Sequence, residues 1–405
     1  MKNFYTYFNY KQLICKRILE DVCMFPFILM GRLIAWLKPL ADEYEIFFFF
    51  PFFHVGGAEK VHAEIANVAR SQKAIIFFTK KSHNNIFYDY FKQSGCAIKD
   101  VSRYTDNKWL YVNNFIYRGM IAAYINKQRK KTIVFNGQCN FGYKIARWIR
   151  KDIPQIELIH SFNTFSYIRI PFIPFYRRTV MISKVHINNH YALYDKMNIP
   201  APYKNNIQYI INGIQIPFGI ENKRKSDQLN ILYVGRGTSE KRIHLIGKIA
   251  ERCIDASMPV VFSLVGDVEN SMNKEYRKYC SFLGPIADSQ VIKDIYLHSD
   301  ILLMTSNTEG FPMTIMEAMA YGLVIISTAV GDIPIHVRDG VRGFLIDEIY
   351  DENIIVEKSV RYIASLICNK ETLQKISAEN CKYAASHFDI HQFNISYKQL
   401  FNQLK

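Results

Sequence analysis

Residues 300–345 read DILLMTSNTEGFPMTIMEAMAYGLVIISTAVGDIPIHVRDGVRGFL. Residues 301–304 are a short apolar run, the pattern of a buried strand. Residues 305–310 are polar and close on Gly310, which marks a loop. Pro312 suits the first turn of a helix, where its missing N–H is no loss. Residues 313–321, rich in Met, Ala and Glu, favour helix, and Gly322 provides the stop. Residues 323–328 return to apolar and β-branched. Strand, loop, helix and strand in that order predict one unit of a parallel α/β sheet.

Two acids in this unit invite a chemical reading. Glu309 stands in the loop and Glu317 eight positions later in the helix. Helical side chains lean toward the N-terminus, so Glu317 is expected to point back to the mouth that holds Glu309. First-turn amides at the same mouth favour an anion, and open α/β sheets take ligands beyond the carboxyl ends of their strands. Acceptors for hydroxyls beside donors for phosphate suit a nucleotide sugar. Two solvated glutamates flanking a core helix would give the same pair.

The order EGFP, MEAMA-Y-G, a strand, GDIP and DGVRGFL resembles the donor-site signature of family 4 glycosyltransferases, a retaining family of GT-B architecture. Asp332 departs from the glycine usual there, which puts the loop conformation in question. The resemblance implies two Rossmann-like α/β domains facing a central cleft. It also implies that Glu309 contacts the donor sugar, that Glu317 contacts ribose hydroxyls, and that Gly310, Phe311 and Pro312 belong to the donor loop. It covers 229–345 and parts of 45–70 and 155–215, and none of 1–44.

At 405 residues, the length predicts two domains. Hydrophobic residues at 49% and charged ones at 21% are those of a globular chain with sizeable cores. The eight cysteines show no C-x-x-C pair and no metal-like spacing, which predicts reduced thiols in a cytoplasmic compartment. The net charge of +15 is uneven: residues 1–216 carry 30 Lys and Arg against 13 acids, a net +17, and the remainder is −2. So basic a half suits a polyanion or an anionic membrane. No zinc-finger spacing or RRM-type motif supports nucleic acid.

Residues 22–37 are apolar but interrupted by Pro26 and Arg32, too short and broken for a spanning helix, which needs roughly 20 apolar residues. No small-residue cleavage site follows, which argues against a signal peptide. With Lys11, Lys16, Arg17, Arg32 and Lys38 around it, the segment reads equally as an interfacial amphipathic helix or as a helix packed on its own domain. Residues 45–53, EIFFFFPFF, read as the first strand. Gly56 and Gly57 then turn into a helix with Val61, Ile65 and Val68 on one face. Such a turn lets backbone approach a phosphate or sugar, and GGAE there again resembles the family, which implies donor contact at Gly57. Strands are also expected near 74–79, 132–136, 157–160, 180–183 and 209–214. His160 ends one of them; the resemblance implies that it faces the sugar. The polar stretch 217–228 reads as a linker.

Residues 229–234 begin the second domain. In the GRGTSEKR that follows, Arg236 and Lys241 offer two cations for a diphosphate, a role the family's GR…K element supports. No DxD pair at a strand end suggests a metal, so neither metal nor cofactor is expected. The FLG of 282–284 matches the family segment lining the base, with Leu283 as the contact. The donor domain is expected over 229–387 and a helix returning to the first domain over 388–405.

The function implied is a retaining glycosyltransferase taking a nucleotide-diphosphate sugar to a glycan or lipid-linked acceptor in surface polysaccharide synthesis. It would be cytoplasmic and peripheral on the inner face of the membrane, bound to anionic lipid. A GT-B sugar-nucleotide epimerase, a phosphorylase and a non-catalytic scaffold of a polysaccharide-assembly complex are the alternatives.

Overall fold

A computed structural model describes residues 8–54, 56–107, 109, 111–219, 227–286 and 288–405. The chain divides into two compact units, one of residues 1–211 with 393–405 and the other of residues 212–392.

The N-terminal unit is built on seven parallel strands: β1 (Ile46–Phe50), β2 (Ala74–Phe78), β3 (Ala97–Asp100), β4 (Ile133–Asn136), β5 (Gln155–Ile159), β6 (Arg178–Met181) and β7 (Ile207–Tyr209), in the order β3-β2-β1-β4-β5-β6-β7. Its helices are α1 (Tyr10–Leu37), α2 (Gly57–Val68), α3 (Tyr88–Gln93), α4 (Ser102–Thr105), α5 (Tyr111–Asn126), α6 (Asn140–Ile145), α7 (Thr164–Ile168) and α8 (Lys184–Lys196). The four consecutive phenylalanines of β1 have no polar alternation because the strand lies inside a parallel sheet covered on both faces. Pro51 falls just past its end.

The C-terminal unit holds a second parallel sheet. Its strands are β8 (Leu229–Val234), β9 (Val260–Val265), β10 (Ser281–Gly284), β11 (Ile301–Met304), β12 (Val324–Thr328) and β13 (Gly343–Ile346), in the order β10-β9-β8-β11-β12-β13. Around it come α9 (Ile243–Asp255), α10 (Ser289–Leu297), α11 (Met313–Ala320), α12 (Ile333–His336), α13 (Glu352–Cys368) and α14 (Lys370–His387). The last helix, α15 (Ile390–Leu404), lays Phe401 on Phe48 and Phe135 of the first sheet and Tyr397 on Phe135. In both sheets the strand order reverses beside the first strand, at β1/β4 and at β8/β11, and that reversal is where open α/β sheets form a ligand crevice.

Two expectations differ from what forms. Residues 209–214 are not one strand. β7 stops at Tyr209, and Ile214 pairs instead with the chain around Asp389: its N–H reaches Phe388 O at 2.8 Å, and Ile390 N–H reaches its carbonyl at 2.9 Å. That pairing draws 212–216 into the C-terminal unit, so the division falls before the expected edge at Ile216. Of the expected linker, 220–226 lies outside the described residues.

The apolar segment 22–37 is helical, as both readings of it expect. It is not broken at Pro26 but belongs to the 28-residue α1, opened by a reciprocal cap between Asn9 and Gln12. A helix-interior proline costs a hydrogen bond and a clash; packing over α5 offsets it. Gly31 and Gly119 let the two backbones touch, since a Cβ on Gly31 would meet Ile116 O at 2.0 Å and one on Gly119 would meet Ile28 O at 2.2 Å.

Candidate active site

The reversal point of the C-terminal sheet is bounded by the loops after β8 and β11. The first carries Arg236 and Lys241, the second Glu309 and Gly310, so chain topology alone brings these residues to one crevice. The Lys241 Nζ donates to Glu309 Oε1 at 2.5 Å, with side chains only 15% and 9% exposed. Arg236 is exposed and, among the described residues, makes no ion pair. Its carbonyl accepts from the Tyr233 hydroxyl at 3.0 Å, which pins the start of the loop.

Arg242, the third cation of that loop, is spent on structure. It sits in the left-handed region (φ 50°). Its guanidinium donates to the carbonyls of Thr305 at 2.6 Å, Ile349 at 2.7 Å and Ser306 at 3.2 Å. Thr305 Oγ1 returns a bond to Lys241 O at 3.0 Å, and Asn307 N–H meets Glu240 O at 2.9 Å. These ties fix the two loops to each other, so the Lys241–Glu309 pair rests on a rigid frame.

The loop after Glu309 is held from beneath. Phe311 is buried, its ring stacked on His336 at 4.2 Å and close to Phe388 at 5.4 Å. Its side chain is thus an anchor, which leaves its backbone to face a ligand. Pro312 is the N-cap of α11 rather than a first-turn residue, and the helix starts at Met313. The amides of Met313 and Thr314 have no preceding turn to receive them. The Asp332 substitution leaves the neighbouring loop intact, because the left-handed conformation belongs to Gly331 (φ 58°), while Asp332 sits at φ −84°. A Cβ on Gly331 would lie 2.3 Å from the carbonyls of Glu309 and Gly310, and Asp332 N–H meets Gly310 O at 2.8 Å. The glycine is required by close approach to the donor loop.

Glu317 Oε2 accepts from the Tyr296 hydroxyl at 2.9 Å, and Tyr296 stacks on Tyr321 at 5.5 Å. That aromatic pair orients the carboxylate on α11. Leu283 projects from edge strand β10, 43% exposed, beside Gly284 in the left-handed region.

In the N-terminal unit, Gly57 opens α2 with nothing within 4 Å of an added Cβ, while a Cβ on Gly56 would strike Glu59 Oε2 at 2.1 Å. His160 follows β5, its N–H held by Gln138 Oε1 at 3.0 Å, and its Nε2 lies 2.9 Å from Nε2 of His62. His62 is buried, stacked on Phe50 at 4.4 Å, with no partner at Nδ1 among the described residues. Burial, and then His160, holds His62 well below the usual imidazole range; burial lowers His160 to about 4. Both rings are therefore neutral at pH 7. A buried N–H without an acceptor is rarer than an unfilled lone pair, so the proton between them belongs to His62 Nε2. His160 accepts it and carries its own proton on Nδ1. One imidazole thus fixes the tautomer of the other and makes it a donor.

This pair has a measurable consequence. Folded-state values depressed below the unfolded 6.5 mean that the unfolded chain takes protons first as pH falls. The stability the pair contributes is complete above about pH 6.5 and declines toward pH 4. His160→Gln is expected to flatten the loss of melting temperature between pH 7 and pH 5. An unchanged slope would show that the pair does not titrate this way.

His62, Gln138, Arg242 and Tyr296 were not singled out by sequence reading. Arg242 looks like Arg236 and Lys241 in sequence, and only the backbone geometry separates their work. His62 carries no local signal at all.

Residues 219–383 match the family model described as Glycosyl transferases group 1. A Klebsiella pneumoniae protein, "Uncharacterized 41.2 kDa protein in cps region", is 25% identical over 254 residues, 60% of this chain and 64% of that protein. The D-inositol 3-phosphate glycosyltransferase of Mycolicibacterium smegmatis is 36% identical over 67 residues, 16% of this chain and 15% of the enzyme. The chain thus spans less than two thirds of the length of these relatives. Among solved structures, Anabaena Alr3699/HepE in complex with UDP and glucose superposes with a TM-score of 0.69 at 17% identity, covering 89% of this chain and 100% of that one. The lipopolysaccharide outer core galactosyltransferase WaaB gives 0.65 at 18%, covering 88% and 99%. These likenesses carry the fold, two parallel-sheet Rossmann-like units of GT-B type. Within that fold, the stretch that matches the glycosyl transferases group 1 model is 219–383, which holds the loops at the β8/β11 reversal.

Proposed function

We propose that the chain is a retaining, metal-independent glycosyltransferase that moves a sugar from a nucleotide-diphosphate sugar to a glycan or lipid-linked acceptor in surface polysaccharide synthesis. The observation that carries this reading is the Lys241–Glu309 pair fixed at the crevice of the C-terminal sheet, with Arg236 exposed in the adjoining loop. Arg236, Lys241 and the amides of Met313 and Thr314 stabilise the diphosphate as it leaves. Glu309 meets the donor sugar, Glu317 the ribose hydroxyls, and the backbone around Leu283 the base. His160, presenting Nδ1–H, is the N-terminal unit's candidate for a sugar hydroxyl, and Gly57 for close backbone approach.

In the front-face route the bond from the anomeric carbon to the diphosphate oxygen breaks. The acceptor oxygen bonds to the same face of that carbon, and its proton passes to the departing diphosphate. No protein base is then needed. The structures of HepE bound to UDP and to UDP-glucose and the cps-region origin of the Klebsiella protein favour a UDP-sugar and a capsule-like product.

Thermal-shift screening with UDP-, GDP- and ADP-sugars tests the donor, with the UDP-sugars expected to raise the melting temperature. Arg236→Ala removes a charged contact worth about 1.5–3 kcal/mol, so donor affinity by calorimetry should fall roughly 10- to 100-fold. No binding of any nucleotide sugar would point to a scaffold. Donor turnover without acceptor would indicate an epimerase, and phosphate dependence a phosphorylase.

A further inference from the structure

Helix α1 has two unlike sides. Leu13, Arg17, Ile28, Gly31 and Ala35 are buried, and at 3.6 residues per turn they occupy an arc of about 60°. On the opposite side Leu19, Val22, Phe25, Leu29, Leu33 and Trp36 share an arc of about 120°, yet each is between 46% and 68% exposed. This is a long apolar face with no cover from the described residues of its unit. Contiguous exposed apolar surface on this scale marks a contact with something else.

Charge identifies what that is. Lys11 and Lys38, at the two ends of α1, are exposed, and Arg32 is half-buried at the edge of the face. Arg147, on the neighbouring turn, is 49% exposed. The acids of α1 are engaged: Glu20 with Lys144 at 2.8 Å, and Asp21 with Arg17 at 3.6 Å and Arg147 at 3.9 Å. An apolar stripe with cations along it, in a half of net charge +17, complements an anionic surface that also accepts hydrocarbon. A second copy of the chain would bring cations against cations.

We propose that this face of α1 docks on an anionic phospholipid surface, with the helix lying in the plane of the interface. The buried side of α1 is committed to α5 through the Gly31–Gly119 contact, so the helix cannot leave its unit to span. No described helix is long and apolar enough to cross a membrane. Charge and apolar insertion are two signals, which together give firm but reversible attachment. Trp36 near the end of the helix suits the headgroup level, where one side of a ring is wet. The proposal stands apart from the transferase reading, because its readout is attachment and not turnover.

The test is co-sedimentation of the full chain with vesicles of phosphatidylcholine alone and of equal parts phosphatidylcholine and phosphatidylglycerol. Pelleting is expected only with phosphatidylglycerol and should weaken as salt rises. Replacing Leu19, Val22, Leu33 and Trp36 together by serine removes exposed side chains only, so the melting temperature should hold while partitioning falls roughly 100-fold or more. Lys11→Ala, Arg32→Ala and Lys38→Ala should each cost about fivefold. Equal pelleting with both vesicles, or none with either, overturns the proposal. So does an unchanged serine variant. Self-association without lipid, abolished in the serine variant and accompanied by no vesicle binding, would assign the face to a second copy.

Discussion

Glu309→Gln is expected to reduce turnover by about a hundredfold or more, the scale seen when a preorganised electrostatic group is lost from an active site. Glutamine keeps the shape and an oxygen for Lys241 Nζ, so the loop tied together by Arg242 and Thr305 should stay in place. What is lost is the negative charge beside Lys241 and the donor sugar. Under the proposed roles, in which that charge acts on the reacting sugar while Arg236 and Lys241 hold the diphosphate, kcat should fall far more than donor affinity. A steady-state measurement with the donor found by thermal shift, paired with calorimetry, separates the two. Wild-type turnover in the variant would remove Glu309 from the mechanism. A proportionate loss of binding would make it a structural partner of Lys241.

The largest effect on stability is expected at a buried ion pair. Arg169 and Glu157 lie wholly inside the N-terminal unit. Arg169 Nε donates to Glu157 Oε2 at 2.9 Å, and a second guanidinium nitrogen bonds the other carboxylate oxygen. Tyr194 at 2.8 Å from Arg169 and Thr179 at 2.7 Å from Glu157 complete the set. Removing one member of a buried pair strands the other charge, which costs about 3–5 kcal/mol. Arg169→Met should therefore destabilise this unit on that scale, whereas Arg169→Met with Glu157→Leu should recover most of it. Trp36, Trp109 and Trp148 are the chain's three tryptophans, and all lie within residues 1–211. Urea titration followed by their fluorescence thus reports this unit alone. A loss under about 1 kcal/mol in the single variant would mean that water or neighbours satisfy Glu157.

Features that local chemistry specifies were legible in the sequence. The β11–α11–β12 unit shows as apolar run, glycine loop, helix formers and glycine stop, and it forms within a residue or two of where it reads. Glu309, Lys241 and His160 stand out as candidates because each follows a strand in a parallel sheet, where a crevice is expected. What stayed hidden depends on partners far along the chain. Pro26 interrupts an apolar run whose helix packs on Gly119, almost a hundred residues later. His62 lies on the inner side of α2, and only its 2.9 Å contact with His160 ties it to the candidate site. Phe311 sits in a donor-site motif but serves it as a buried wedge against His336. Strand β3, AIKD, is short and half polar because it is the edge of its sheet.

The seating of α15 on the first sheet also governs when that sheet is finished during synthesis. Phe48 and Phe135 lie against Tyr397 and Phe401, residues made roughly 260 to 350 positions later. At about 5–20 residues per second on the ribosome, the first strands wait some tens of seconds for their final cover. During that interval a run of phenylalanines stands next to an open face, the condition in which nascent chains associate wrongly. The unit begun first is thus among the last to be completed. An interruption of translation anywhere past residue 212 leaves its core unsealed, however much of the donor-side sheet has been made.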